Sequence, residues 1–141
     1  EIGEKLKEVY EFELPDGIEK IGNKILLKPF LFAAIEENPF KADERSYPIF
    51  FDYPSRQVKV VNIRLPEGFK VEAMPESTIT KFNNGACTYQ FTTMQSGNFL
   101  RFESIFDLKT TVYGQQDYAM LKEFFDHIVE KETEVIILSK I

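Results

Sequence analysis

The 141-residue sequence has no tryptophan, one cysteine and one histidine. Cys87 alone cannot form an internal disulfide, and it says little about compartment, since exported bacterial domains also do without disulfides. One thiol and one imidazole fall short of the several Cys or His ligands that a zinc site takes. No uninterrupted apolar run approaches the ~18 residues needed to cross a membrane as a helix. The longest such stretch, residues 25–35, is broken by Lys28 and Pro29. There is no Gly-rich phosphate loop, no Gly-x-Ser-x-Gly elbow and no Asp-x-Asp-x-Asp-Gly calcium loop. Charge of one sign is not gathered anywhere: 17 basic against 23 acidic residues gives a net charge of −6, with the two signs interspersed. That pattern suits solubility and argues against nucleic-acid binding through phosphate neutralisation. No secretory leader is visible, because the chain opens on charges at Glu1, Glu4, Lys5, Lys7 and Glu8. It also opens without Met, so a single domain over residues 1–141, excised from a larger protein, is the expectation.

What is present points to β structure. Apolar residues make up 43% of the chain, with 14 Phe and six Tyr. This is enough to bury a core and too much for a disordered segment. Phe and Tyr favour pleated, half-buried surfaces. Period-two alternation recurs along the chain. Leu6, Tyr10, Phe12 and Leu14 share one parity before a turn at Pro15-Asp16-Gly17. Residues 25–27 and 30–32 suit a strand buried on both faces, with a short helix the alternative that periodicity leaves open. Residues 36–46 read as a long polar loop, and 47–53 as an aromatic strand closed by Pro54. In the next strand, 57–65, apolar parity switches between Val60 and Val61, which predicts a bulge or burial on both faces. Phe69, Val71 and Ala73 alternate after a Pro66-Glu67-Gly68 turn. Ile79 to Phe82, Asn83-Asn84-Gly85, then Cys87, Tyr89 and Phe91 form a clear hairpin signal. Leu100, Phe102, Phe106 and Leu108 continue it, so three sequential antiparallel strands are expected between Ile79 and Val112.

The period then changes. Tyr118, Leu121, Phe125, Ile128 and Val129 trace one face of an amphipathic helix over residues 115–131. Asp117 and Lys131 sit where the helix dipole favours them. Residues 135–138 form a β-branched run and predict a final strand. The fold class expected is therefore mainly β: an antiparallel β-sandwich with one C-terminal amphipathic helix followed by a final strand.

The order of short motifs carries a resemblance. Asn38-Pro39-Phe40, Arg45, Tyr47-Pro48 and Phe51-Asp52-Tyr53-Pro54 are followed by Leu65-Pro66-Glu67-Gly68-Phe69, Val71-Glu72 and Met74-Pro75. Tyr113, Tyr118, Leu121-Lys122, Phe124-Phe125 and Val135-Ile136-Ile137-Leu138 complete the series. Over roughly residues 24–141 the chain resembles the C-terminal domain of unknown function that follows a transglutaminase-like domain in Bacteroidetes multidomain proteins. The resemblance implies an exported protein, periplasmic or at the cell surface, with an upstream transglutaminase-like domain as partner within the same chain. The catalytic residues of such proteins belong to that absent core, so none is carried onto this sequence.

The residues themselves agree with a non-enzyme. Cysteine catalysis needs a thiolate, a base and an orienting group. Cys87 lies on a strand face with Tyr89 and Phe91, which reads as a buried small hydrophobe. His127 falls about 130° from the middle of the helix's apolar face, toward solvent. Glu36, Glu37, Asp43 and Glu44 read as a solvated acidic loop rather than a cation site. No catalytic, cofactor-binding or metal residue is assigned, and no cofactor is expected. Phe40 and Arg45 are the candidate interaction residues. Phe40 is expected to staple the loop to the body, and Arg45 to pair with an acid or loop carbonyls unless it meets a partner. The function expected is an accessory domain mediating interdomain or protein–protein contacts. The alternative is a ligand-binding module for a surface glycan or peptide, a reading that the lack of tryptophan weakens.

Overall fold

The computed structural model describes residues 6–9, 18–30 and 33–141. Ten strands and one long helix make up this part. In chain order they are β1 (Glu19–Ile21), β2 (Lys24–Leu27), β3 (Ile49–Phe50), β4 (Ser55–Arg64), β5 (Phe69–Ala73), β6 (Thr78–Phe82), β7 (Cys87–Ser96), β8 (Phe99–Leu108), β9 (Val112–Tyr113), α1 (Tyr118–Thr133) and β10 (Ile136–Lys140). All described pairings are antiparallel. One four-stranded sheet has the order β4-β8-β7-β6, the other β1-β2-β10-β5, and β3 pairs with β9 as a small ribbon. The mainly β antiparallel class, the helix and the strand after it are thus as the sequence pattern reads.

The first sheet is the regular one. Its hairpin β6–β7 turns through Asn83 and Asn84 at φ of 46° and 53°, a left-handed region that Asn tolerates better than most residues. β7 and β8 then pair in unbroken register from Cys87↔Leu108 to Ser96↔Phe99. The inward parity of β7 and β8 carries Cys87, Tyr89, Phe91, Leu100, Phe102 and Leu108, all buried. Ile25 and Leu27 of β2 and Ile136 and Leu138 of β10 join the same core, together with Leu121, Phe124, Phe125 and Ile128 of α1. Helix and second sheet therefore share the work of covering one inner face. The helix is preceded by a 3-10 turn, Gln115–Asp117, in which the Gly114 N–H donates to the Asp117 carboxylate at 3.2 Å.

Four expectations need correction. The 47–53 strand shrinks to two residues, Ile49 and Phe50. Pro48 and Pro54 bracket it and can donate no ladder hydrogen bond. Phe30 is buried in a turn outside β2 rather than in a strand, and Phe32 lies outside the described residues. β4 contains neither a bulge nor burial on both faces: its register with β8 is regular, and Val58 and Val60 simply face outward. The inward parity belongs to Lys59, Val61 and Ile63, so an ionic group enters the interior between two outward-facing valines. Finally, Leu6 is exposed, while Tyr10, Phe12, Leu14 and the turn at residues 15–17 lie outside the described residues.

Candidate interaction surface

After Phe30 the chain does not enter the first sheet directly. Residues 33–43 run beside α1, from its C-terminal end back to its N-terminal end, and are tied to it at short intervals. The Ile35 N–H donates to Glu132 Oε2 at 2.7 Å. Asn38 Nδ2 donates to the Lys122 carbonyl at 2.8 Å and to Asp126 Oδ1 at 2.7 Å. Its own carbonyl oxygen accepts the Phe40 N–H at 2.9 Å, an Asx turn that Pro39 pre-shapes. The Ala42 carbonyl accepts from Tyr118 Oη at 2.7 Å and Lys122 Nζ at 3.0 Å. Phe40 itself is buried, with its ring edge-on to Phe125 at 5.2 Å, Tyr118 at 5.8 Å and Phe51 at 6.4 Å. The staple expected of Phe40 is present, and the segment is a strap.

Beyond Asp43, whose carboxylate lies 3.6 Å from Lys122 Nζ, the pegs stop. Arg45 is exposed and, among the described residues, makes no hydrogen bond or ion pair, so the structural pairing expected of it is absent. Tyr47, Phe50 and Tyr53 are 76%, 68% and 69% exposed. Phe50 stands opposite Val112, also exposed, in the β3–β9 ribbon. The residues between them face the other way: Ile49 is buried and Phe51 packs edge-on to Tyr113 at 5.9 Å. The segment thus presents three aromatic rings, and a guanidinium without a partner among the described residues, to solvent on a backbone anchored from beneath at Ile49 and Phe51. A second apolar surface is the outward face of the first sheet, where Val58, Val60, Ile79, Met94 and Phe99 are exposed and Arg64 lies over Phe99 at 5.4 Å.

Under the strap lies a polar knot that the sequence pattern missed. Glu132 is 1% exposed, on the apolar side of α1. Its carboxylate accepts from Lys59 Nζ at 2.7 Å, Ser104 Oγ at 2.8 Å and the Ile35 N–H. One side chain from each of β4, β8 and α1 and one backbone group of the strap therefore meet at a single point. Lys59 Nζ also stands 5.8 Å from the Phe30 ring centroid. The neighbouring Tyr89 hydroxyl is buried without a hydrogen-bond partner among the described residues. Burial pushes its pKa well above the ordinary range; Ser104 offsets this in part, although the two hydroxyls lack hydrogen-bonding geometry.

Cys87 and His127 sit in different surroundings. Cys87 is fully buried, and burial, with the Asp107 charge adding, pushes its thiol up to about 12. A thiol held protonated in this way is no nucleophile at neutral pH. His127 is half-buried rather than turned to solvent, in a shallow depression with Lys81, Phe82, Glu123 and Phe124. The acidic residues of the loop are dispersed, Glu37 pairing with Lys41 and Asp43 with Lys122. No group of three metal-ligating side chains occurs among the described residues, nor is any helix of theirs long and apolar enough to cross a membrane.

Residues 23–138 match the model of DUF3858, a domain of unknown function with a solved structure, and the chain belongs to that family. No curated protein sequence matches it. Among solved structures the fold is similar to part of a "putative protease" from Parabacteroides distasonis, with a TM-score of 0.60 at 13% identity. The match covers 70% of this chain and 19% of that protein, so the shared fold occupies about a fifth of the longer chain.

Proposed function

We propose that this domain is a non-catalytic accessory module of a longer, exported transglutaminase-like protein, and that it contacts a neighbouring domain or another protein through residues 45–53. The observation that carries the reading is the exposure of Tyr47, Phe50 and Tyr53 beside an Arg45 without a partner among the described residues. Tyr, Phe and Arg are the side chains enriched at the centres of protein interfaces, and a few such anchors supply most of the binding energy. The rings are offered on a backbone that Phe40, Ile49 and Phe51 hold from below, so little ordering cost remains for association. The resemblance to the domain that follows a transglutaminase-like core, and a structural neighbour that is much longer than this chain, both favour a partner within the same polypeptide.

The test uses the parent protein. Arg45→Ala with Phe50→Ser should raise hydrogen exchange on both sides of the domain junction while this domain keeps its own thermal unfolding. Unchanged exchange across the junction in the folded double variant contradicts the proposal. The same exposed rings would also suit a sugar or peptide ligand; saturation-transfer signals from soluble glycan to these rings, with no junction effect, would favour that alternative.

A further inference from the structure

We infer that Glu132 is a positioning residue for the contact segment: its buried carboxylate fixes where the strap begins, and the strap fixes where Arg45 and Tyr47 stand. The inference rests on the contact reading only for its consequence, since the geometry of the pin is independent of any partner. A carboxylate at 1% exposure is costly to bury and needs its acceptor positions filled. Here three donors fill them, and two of those, Lys59 Nζ and Ser104 Oγ, come from the inner face of the first sheet. They hold the carboxylate rigidly enough to serve as a fixed point. The third donor is the Ile35 N–H, a backbone group of an otherwise irregular segment. The strap could slide along the helix if hydrophobic contact alone held it. A directional bond at 2.7 Å to a clamped oxygen removes that freedom at one end, and the Asn38 and Ala42 bonds carry the register on to Asp43. Two residues later stands Arg45.

Replacing the ion pair by apolar side chains separates positioning from stability. Such swaps of buried pairs are often neutral or stabilising, whereas removing one partner alone is damaging. Lys59→Met with Glu132→Leu leaves no orphaned charge but leaves the Ile35 N–H without its acceptor. Lys59→Met with Glu132→Gln keeps a carbonyl oxygen at that point. Trypsin reads the difference, because cleavage after Lys41 requires the strap to lift from α1. The Met/Leu variant should be cleaved after Lys41 roughly ten-fold faster than the unaltered chain, the change expected from one lost hydrogen bond. The Met/Gln variant should stay near the original rate, and thermal unfolding of both should remain cooperative. Equal cleavage rates in the two variants would overturn the inference, as would a Met/Leu variant as resistant as the original. A freed strap together with a junction that ignores Arg45→Ala and Phe50→Ser would support the pin and remove the contact reading.

Discussion

Residues 33–43 and 44–53 are adjacent and both largely irregular, the first with one aromatic residue and the second with four, and the fold treats them in opposite ways. The first stretch is tied to α1 at Ile35, Asn38, Phe40 and Ala42. The second turns Arg45, Tyr47, Phe50 and Tyr53 to solvent, with only Ile49 and Phe51 drawn inward. One Phe, at position 40, meets three aromatic rings; another, ten residues later, meets none of the core. The difference teaches that a loop's length does not define its role. What matters is where its polar backbone groups go, and here they go to the helix up to Asp43 and to solvent or the small ribbon afterwards.

The sharpest way to break this picture is at the body that receives the strap. Phe125 touches Phe40, Phe106 and Phe124 and is buried. Phe125→Ala should cost ~3–5 kcal/mol in urea unfolding, the range for a buried ring. A loss below roughly 1 kcal/mol would mean the helix does not pack by that face. Glu132→Ala should cost a similar ~3–5 kcal/mol, because it strands the Lys59 ammonium and the Ile35 N–H. The Lys59→Met, Glu132→Leu pair should recover most of that loss; a pair as unstable as the single variant would show that Ser104 and the strap depend on charge itself.

High pH probes the core beneath both segments. Burial pushes the Cys87 thiol from 9.0 up to about 12 and the Tyr113 hydroxyl up to about 12, and raises Tyr89 further. These groups are acids whose charged form the folded state disfavours. The contribution of Cys87 is fully present below pH 9.0 and is lost as pH rises toward about 12, and that of Tyr113 is lost between 10.0 and about 12. The urea midpoint should therefore fall across that window, and Cys87→Ala should flatten part of the fall. An unchanged slope in Cys87→Ala would show that the tyrosines carry it. The same variant at neutral pH should cost on the order of 1 kcal/mol and abolish no binding, since the thiol is sealed in the core.

The smallest effect belongs to the exposed segment. Phe50→Ser should change the stability of this domain by no more than about 0.5 kcal/mol, as surface substitutions do. A loss of several times that would place Phe50 in the core and dissolve the contrast between the two stretches.

Much of the scaffold was legible in residue order. Asn83-Asn84-Gly85 announces the hairpin, and the Tyr118, Leu121, Phe125, Ile128 spacing announces the buried side of α1. The polar knot was legible in principle and overlooked. Glu132 follows Ile128 by four residues and Phe125 by seven, so it lies on the apolar stripe. Lys59 shares the parity of Val61 and Ile63, and Ser104 that of Phe102 and Phe106. Charged residues at core-facing positions are the signal, but Val58 and Val60 on one parity and Val61 and Ile63 on the other read as a bulge or two-sided burial, which hides Lys59. The contact segment was harder to read. Its aromatic density between Tyr47 and Tyr53 mimics a buried strand, and nothing local distinguishes rings that face a partner from rings that face a core. Only the tertiary fold, which aims Ile49 and Phe51 inward, separates them.

Residue-resolved hydrogen exchange over residues 33–54 tests the central contrast most directly. The account predicts slow exchange at the amides of Ile35 and Phe40, whose acceptors are Glu132 and Asn38. It also predicts exchange near the unprotected rate from Glu44 to Tyr47. Comparable rates on both sides of Asp43, whether fast or slow, would contradict it.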